Sequence, residues 1–197
     1  AQMFDQARRR RLMEDLSGTD DFHYFPGGDA SYDRARDVVR KLLGTARHRC
    51  LLCDVFLSAS DAAEFVPFVK RVRLPVRLLG SAWFLRQKDV DRGPRQGDEL
   101  KRCVDALRAT DESIDVQCKV LAGRSSAPVH DRFMMIDDDV YLLGSSLNEF
   151  GRRATTLFRV PDPDSIRAEL EKWWDGRGGL STPLEEWLSG QPEDTRS

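Results

Sequence analysis

Residues 130–148, HDRFMMIDDDVYLLGSSLN, constrain the fold of this chain more tightly than any other stretch. Residues 133–136 are an apolar run short enough for a buried strand, Asp138 and Asp139 supply turn chemistry, and residues 140–143 form a second apolar run. That pattern predicts a β-hairpin. A hairpin returns the chain to the end from which it set out. His130 and Arg132, before the first strand, therefore come to lie beside Gly144, Ser145, Ser146 and Asn148, after the second. One imidazole, one guanidinium and a small polar loop share one end of a sheet, which suits them to an oxyanion.

The chain before the hairpin reads as alternating strands and helices. Residues 50–56 are a buried strand with Asp54 near its end, Ser58 or Ser60 opens a short helix over 61–71, and residues 75–79 are a second strand. Such a unit implies a right-handed βαβ crossover in a largely parallel sheet. Ahead of it, Ser31 is placed to cap a helix over 31–43 whose stripe is Tyr32, Ala35, Val38, Val39, Leu42 and Leu43. A charged loop at 88–98, a helix at 99–109 and an alternating strand at 114–121 lead into the hairpin. After it come a strand at 154–160 and a helix begun by Asp164 or Ser165, with Ile166, Leu170, Trp173 and Trp174 facing inward.

The expected fold class is α/β: a mixed, largely parallel sheet flanked by helices on both faces, in a single domain. The expected organisation is a helix at 3–16 and an aromatic-rich extension making up residues 1–30, the α/β domain at 31–177, and a C-terminal appendage at 178–197 with a short helix at 184–188. The aromatic segment packs on the main domain or on a partner, with packing favoured, and His23 within it reads as structural.

The spacing within 130–148 resembles the phospholipase D superfamily, whose signature is H-x-K, four residues, D, six residues, then G-S and a nearby N. His130, Asp137, Gly144 and Ser145 stand at those intervals. Arg132 takes the place of the lysine, and Asn148 follows Ser145 by one residue more than in the common G-S-x-N form. Several nucleases of the superfamily carry a glutamate near the start of the next strand that orients the histidine. This chain offers Thr155 and Thr156 there, and Glu149 is either that orienting carboxylate or an ordinary surface charge.

The resemblance carries implications for mechanism. In the superfamily two motifs make one site, one histidine attacking phosphorus while the other protonates the leaving oxygen. The other histidines here, His23 and His48, lie in unrelated contexts. One motif copy per chain therefore implies a homodimer working through a phosphohistidine, without cofactor or metal. Arg132, the Ser145 or Ser146 hydroxyl and the Asn148 amide would neutralise the phosphoryl oxygens. Asp137 would support the site without attacking, by pairing with a motif residue or fixing the turn.

Composition narrows the setting. A net charge of −2 provides no general attraction for nucleic acid, so a polyanion must be met locally. Arg124, Arg132, Arg152 and Arg153 are the candidates, or else Arg124 and Arg153 are plain solvated surface. Hydrophobic content of 40% with 32% charged residues is that of a soluble globular protein. No run approaches the ~20 apolar residues of a membrane helix, and the first residues lack the apolar centre of a secretion signal. The four cysteines, mostly scattered among apolar residues, fit a cytoplasmic protein. Cys50 and Cys53 have zinc-like spacing but lie within an apolar strand, and no second pair completes a site.

The function expected is a metal-independent nuclease cleaving DNA or RNA as a homodimer, because small single-motif chains without lipid-binding segments look most like the dimeric bacterial nucleases. The alternative is a catalytically silent phospholipase D-like module that binds nucleic acid or protein, as one piece of a larger bacterial defence protein. Arg132, the missing glutamate and a first residue other than methionine motivate it. A lipid phosphodiesterase ranks third.

Overall fold

A computed structural model describes residues 21–69, 75–88, 93–110, 114–123 and 129–191. The expected helix at 3–16, part of the charged loop at 88–98, and Arg124 lie outside those residues. Eight strands join in one sheet: β1 (Phe22–Phe25), β2 (Cys50–Cys53), β3 (Val76–Ser81), β4 (Val116–Leu121), β5 (Arg132–Ile136), β6 (Asp139–Leu143), β7 (Thr155–Arg159) and β8 (Ser181–Pro183). Their spatial order is β1-β7-β6-β5-β2-β3-β4-β8.

The mixed α/β sheet is the expected one, with a smaller parallel share than the βαβ pattern implies. Among the described residues parallel pairing is confined to β2–β3 and β3–β4, where helices make the crossovers. These are α2 (Ala59–Phe65) between β2 and β3, and α3 (Ala82–Leu85) with α4 (Gln96–Thr110) between β3 and β4. The hairpin β5–β6 lies antiparallel against β2, and β7, β1 and β8 pair antiparallel in turn. Apolar runs announce burial of a strand, not its direction.

Every side chain of β2 is buried, as its unbroken apolar run requires of a strand covered on both faces. Cys50 and Leu52 enter the larger core, beneath α1 (Asp29–Leu43), α2, α4 and α6 (Leu184–Ser189). Leu51 and Cys53 enter a second core with Met135, Val140, Leu170 and Trp174, beneath α5 (Asp164–Asp175). Helices thus flank both faces. The two cysteines point to opposite cores and share no ligand position, and burial holds both thiols neutral, raising Cys50 to about 12 and Cys53 also upward.

Local signals set the helix starts. Ser58 closes a capping box with Asp61 at the head of α2, each satisfying the other's backbone N–H. Helix α1 starts earlier than its expected Ser31 cap: Gly28 is the capping residue, and the Ser31 hydroxyl instead accepts the Gly27 N–H at 3.1 Å. Its buried stripe is Ser31, Ala35, Val39 and Leu43.

The described parts of both flanking segments join the sheet. Residues 22–25, expected as part of an extension, form the edge strand β1 against β7, with Phe25 fully buried and its ring 5.4 Å from that of Phe150. Residues 181–189, expected as an appendage, supply the other edge strand and a helix that buries Leu184. Strands of three or four residues are too short to leave a period, which is why neither pairing shows in the sequence. Among the described residues no helix is long and apolar enough to cross a membrane.

Candidate functional site

Register brings the site together. Arg132 stands opposite Leu143 on β6, and Phe133 opposite Cys53 on β2. The end of β2, the start of β5, the end of β6 and the start of β7 therefore meet at one rim of the sheet. His130 is exposed two residues before β5, and Arg132 is that strand's first residue.

Asp54, the residue after β2, is only 1% exposed. Its Oδ1 accepts the Phe56 N–H at 2.9 Å and its Oδ2 accepts the Leu147 N–H at 2.8 Å, so one carboxylate ties the β2 turn to the loop after β6. Burial pushes its carboxyl above the ordinary range, against the opposing pull of these two N–H groups and the Arg132 charge.

Arg132 lies against this carboxylate. Its Nε donates to Ser146 Oγ at 3.2 Å and stands 4.0 Å from Asp54 Oδ1, while its guanidinium carbon sits 5.6 Å from the centroid of the Phe56 ring. The inner nitrogen is anchored, and the two terminal nitrogens have no partner among the described residues. With the side chain 19% exposed, those terminal donors form a fork open to an arriving anion.

The loop after β6 has polar atoms to spare. Ser145 Oγ and Asn148 Oδ1 are buried without a hydrogen-bond partner, as is Thr155 Oγ1 at the start of β7. Unsatisfied buried groups are uncommon in folded proteins and gather where a ligand or strain accounts for them. Gly144 lets the loop approach β7 so closely: a Cβ there would come within 2.8 Å of Thr155 Oγ1 and 3.1 Å of Thr156 N.

The remaining motif residues lie apart from this cluster. Asp137 occupies the hairpin turn at the opposite rim, with a positive φ of 53°. Its carboxylate accepts the backbone N–H groups of Arg47, His48 and Arg49, at 3.1, 2.6 and 3.1 Å for the nearer contacts, and so fastens the connection from α1 to β2. Burial raises its carboxyl, and the three N–H groups outweigh it and hold the group below its ordinary value. Glu149 is exposed, its Oε1 3.7 Å from Arg152 Nε. Arg152 also covers the Tyr32 ring at 4.2 Å, and Arg153 is exposed. Among the described residues His130 has no hydrogen-bond partner.

The structure therefore brings His130, Arg132, Ser145, Ser146 and Asn148 to one rim and separates Asp137 from them. It adds Asp54, which the sequence shows only as a carboxylate closing an apolar strand. Beyond the nearby Phe56 N–H, its partners Leu147 and Arg132 lie far along the chain, out of reach of any local pattern. An exposed imidazole two residues from an anchored guanidinium has the chemistry to hold and attack a phosphoryl group. Among the described residues no group of three or more histidines, cysteines or carboxylates is placed to hold a metal ion.

No protein-family model matches the sequence, and no curated protein matches it. Solved structures do. Phosphatidylserine synthase from Haemophilus influenzae Rd KW20 superposes with a TM-score of 0.58 at 13% identity, covering 87% of this chain and 41% of its own. Nuc from Salmonella typhimurium, a phospholipase D family member, superposes at 0.52 with 15% identity over 82% of this chain and 95% of its own. TrmBL2, an archaeal chromatin protein, gives a TM-score of 0.46 at 13% identity over 95% of this chain. The chain spans 62% of TrmBL2 and 41% of the synthase, less than two thirds of each.

Proposed function

From the phospholipase D fold that this chain shares with Nuc and the synthase, we propose that it is a metal-independent phosphodiesterase that cleaves nucleic acid at a homodimeric site. The observation that carries the reading is Arg132: its Nε is held from behind by Ser146 beside Asp54, its terminal nitrogens are open, and His130 is exposed two residues away.

In the proposed reaction the neutral imidazole of one His130 attacks phosphorus. The bond from phosphorus to the leaving oxygen breaks as the imidazolium of a second His130 gives that oxygen its proton. The resulting phosphohistidine is hydrolysed by a water that the second imidazole, now neutral, deprotonates. The phosphate ester leaves and the first imidazole is restored. Arg132 from each copy meets the charge on the phosphoryl oxygens through its open fork, and Ser145 and Asn148 are candidates to turn their unpartnered atoms to the same group. One chain offers one imidazole at this rim, so the second comes from a second copy across a two-fold axis.

The test is cleavage of single- and double-stranded DNA and RNA in EDTA by the unmodified chain and by His130→Ala, with acid quenching to trap the covalent adduct. Cleavage that survives the substitution rejects the reading. Light scattering at active concentrations should give a dimer, and an active monomer sinks the paired site.

A catalytically silent module that binds nucleic acid or protein is the second reading. It is favoured by the absence, among the described residues, of any carboxylate on His130: β7 starts with Thr155, and Glu149 faces Arg152. Arg132→Lys separates the two. Hydrolysis appearing from none supports the silent reading, and hydrolysis already present in the unmodified chain excludes it.

A further inference from the structure

The rim beside Arg132 carries aromatic side chains from two separate loops. Phe56 lies in the turn after β2, and Trp83 and Phe84 lie in α3 after β3. The Phe56 ring meets Trp83 edge-on, with centroids 5.7 Å apart and planes at 82°, and meets Phe84 at 5.6 Å and 71°. Phe84 packs on the larger core and Phe56 on the second, so the base of the cluster is anchored on both sides of the sheet. Trp83 stands on that base with 36% of its surface exposed.

One hydroxyl fixes the two loops to each other. Ser81 is fully buried; its Oγ donates to the Val55 carbonyl at 2.7 Å and accepts the Phe84 N–H at 3.2 Å, capping α3. Asp54 holds the Phe56 N–H from the other side. The shelf is preorganised by buried hydrogen bonds, not improvised from mobile side chains. The same Phe56 ring that supports Trp83 lies under the Arg132 guanidinium.

A charge suited to phosphate and an exposed aromatic face thus share one support. That pairing fits a polymer in which each phosphate carries a flat, stackable base. A lipid surface fits less well, because among the described residues the exposed large apolar side chains do not share a face. Tyr24 is on edge strand β1, and Phe68, before β3, is at the opposite rim beneath Arg40. We infer that Trp83, standing on Phe56, is a stacking platform for an unpaired nucleobase of a strand whose phosphate engages Arg132. The inference rests on the reading above that this rim receives a phosphodiester, and it makes the preferred polymer single-stranded, since a base inside a duplex presents no free face.

Binding of fluorescein-labelled oligonucleotides to the full chain bearing His130→Ala tests this without turnover. The probes are a run of twelve thymidines, the same backbone with abasic sites, a blunt duplex, and phosphatidylglycerol vesicles. Trp83→Leu should weaken the thymidine strand about tenfold and leave the abasic strand unchanged, with Trp83→Phe between. Arg132→Ala should weaken both strands. Equal thymidine affinity with and without Trp83, or equal losses for thymidine and abasic strands, overturns the proposal. So does a Trp83 dependence seen with vesicles and not with the thymidine strand. Circular dichroism verifies folding, and Trp83→Phe decides should Trp83→Leu unfold. Cleavage by the unmodified chain is scored separately, so a shelf that binds without hydrolysis and a nuclease that ignores Trp83 are distinct results.

Discussion

At Asp54 a buried carboxylate joins two loops and faces an arginine, and each of those contacts has an energetic consequence. Truncating it to alanine leaves the buried Leu147 N–H and the half-buried Phe56 N–H without acceptors, at about 1–3 kcal/mol each at full burial. Asp54→Ala should therefore lower the unfolding free energy in urea by about 3 kcal/mol, and Asp54→Asn by less, because the amide keeps one acceptor oxygen. A loss under about 0.5 kcal/mol, the range of ordinary surface substitutions, would show that the carboxylate does not hold these loops. A second carboxylate supplies a pH signature. Burial raises Asp61 to about 6, against the hydrogen bonds from Ser58. An acid whose folded pKa exceeds its unfolded one stabilises the fold while protonated. Its contribution is complete below the unfolded value of 3.8 and is lost as pH rises through about 6. Urea midpoints across that window should fall with rising pH, and Asp61→Asn should flatten the fall; an equal slope in both proteins would contradict the assignment.

At the level of elements, the hairpin is the part most legible in the chain, because both of its strands are apolar runs joined by aspartates, although the turn falls at Asp137 and Asp138, one residue earlier than expected, and Asp139 opens β6. Its placement in the sheet is not legible, since the pairing of β5 with β2 joins residues some eighty positions apart. Edge strand β1 hides in an aromatic stretch whose partner, Thr155 to Arg159, comes more than a hundred residues later. The βαβ unit is visible because each of its strands is buried on both faces. Of the candidate site, the shared rim of His130, Arg132, Ser145, Ser146 and Asn148 follows from the hairpin alone, whereas Asp54 enters only through tertiary contact. The junction of β6 and β7 offers a direct check. Gly144→Ala forces a Cβ to 2.8 Å from Thr155 Oγ1 and should cost about 1–3 kcal/mol in thermal unfolding. Adding Thr155→Ala should recover part of the loss, and only part, because Thr156 N remains 3.1 Å away. Full stability in Gly144→Ala would mean that the loop does not approach the strand this closely.

Across the whole molecule, the two rims of the sheet hold different groups. Strand β5 is five residues long, so Arg132 and the Asp137 turn are separated by about 17 Å. Asp137 fastens the loop from α1 to β2, and its lowered pKa means that its contribution is present above the unfolded value and lost as pH falls through the folded one. Asp137→Ala should lower stability by about 1 kcal/mol while leaving oligonucleotide affinity unchanged. A selective loss of binding at full stability would return that carboxylate to the site. Between the rims runs β2, whose alternate side chains belong to different cores and whose last residue hands the chain to Asp54. The second core beneath α5 is thereby joined, through the four residues of β2, to the carboxylate that faces Arg132. Substitutions among the leucines and methionines of that layer should therefore shift the contact of Asp54 with Arg132 while touching neither side chain.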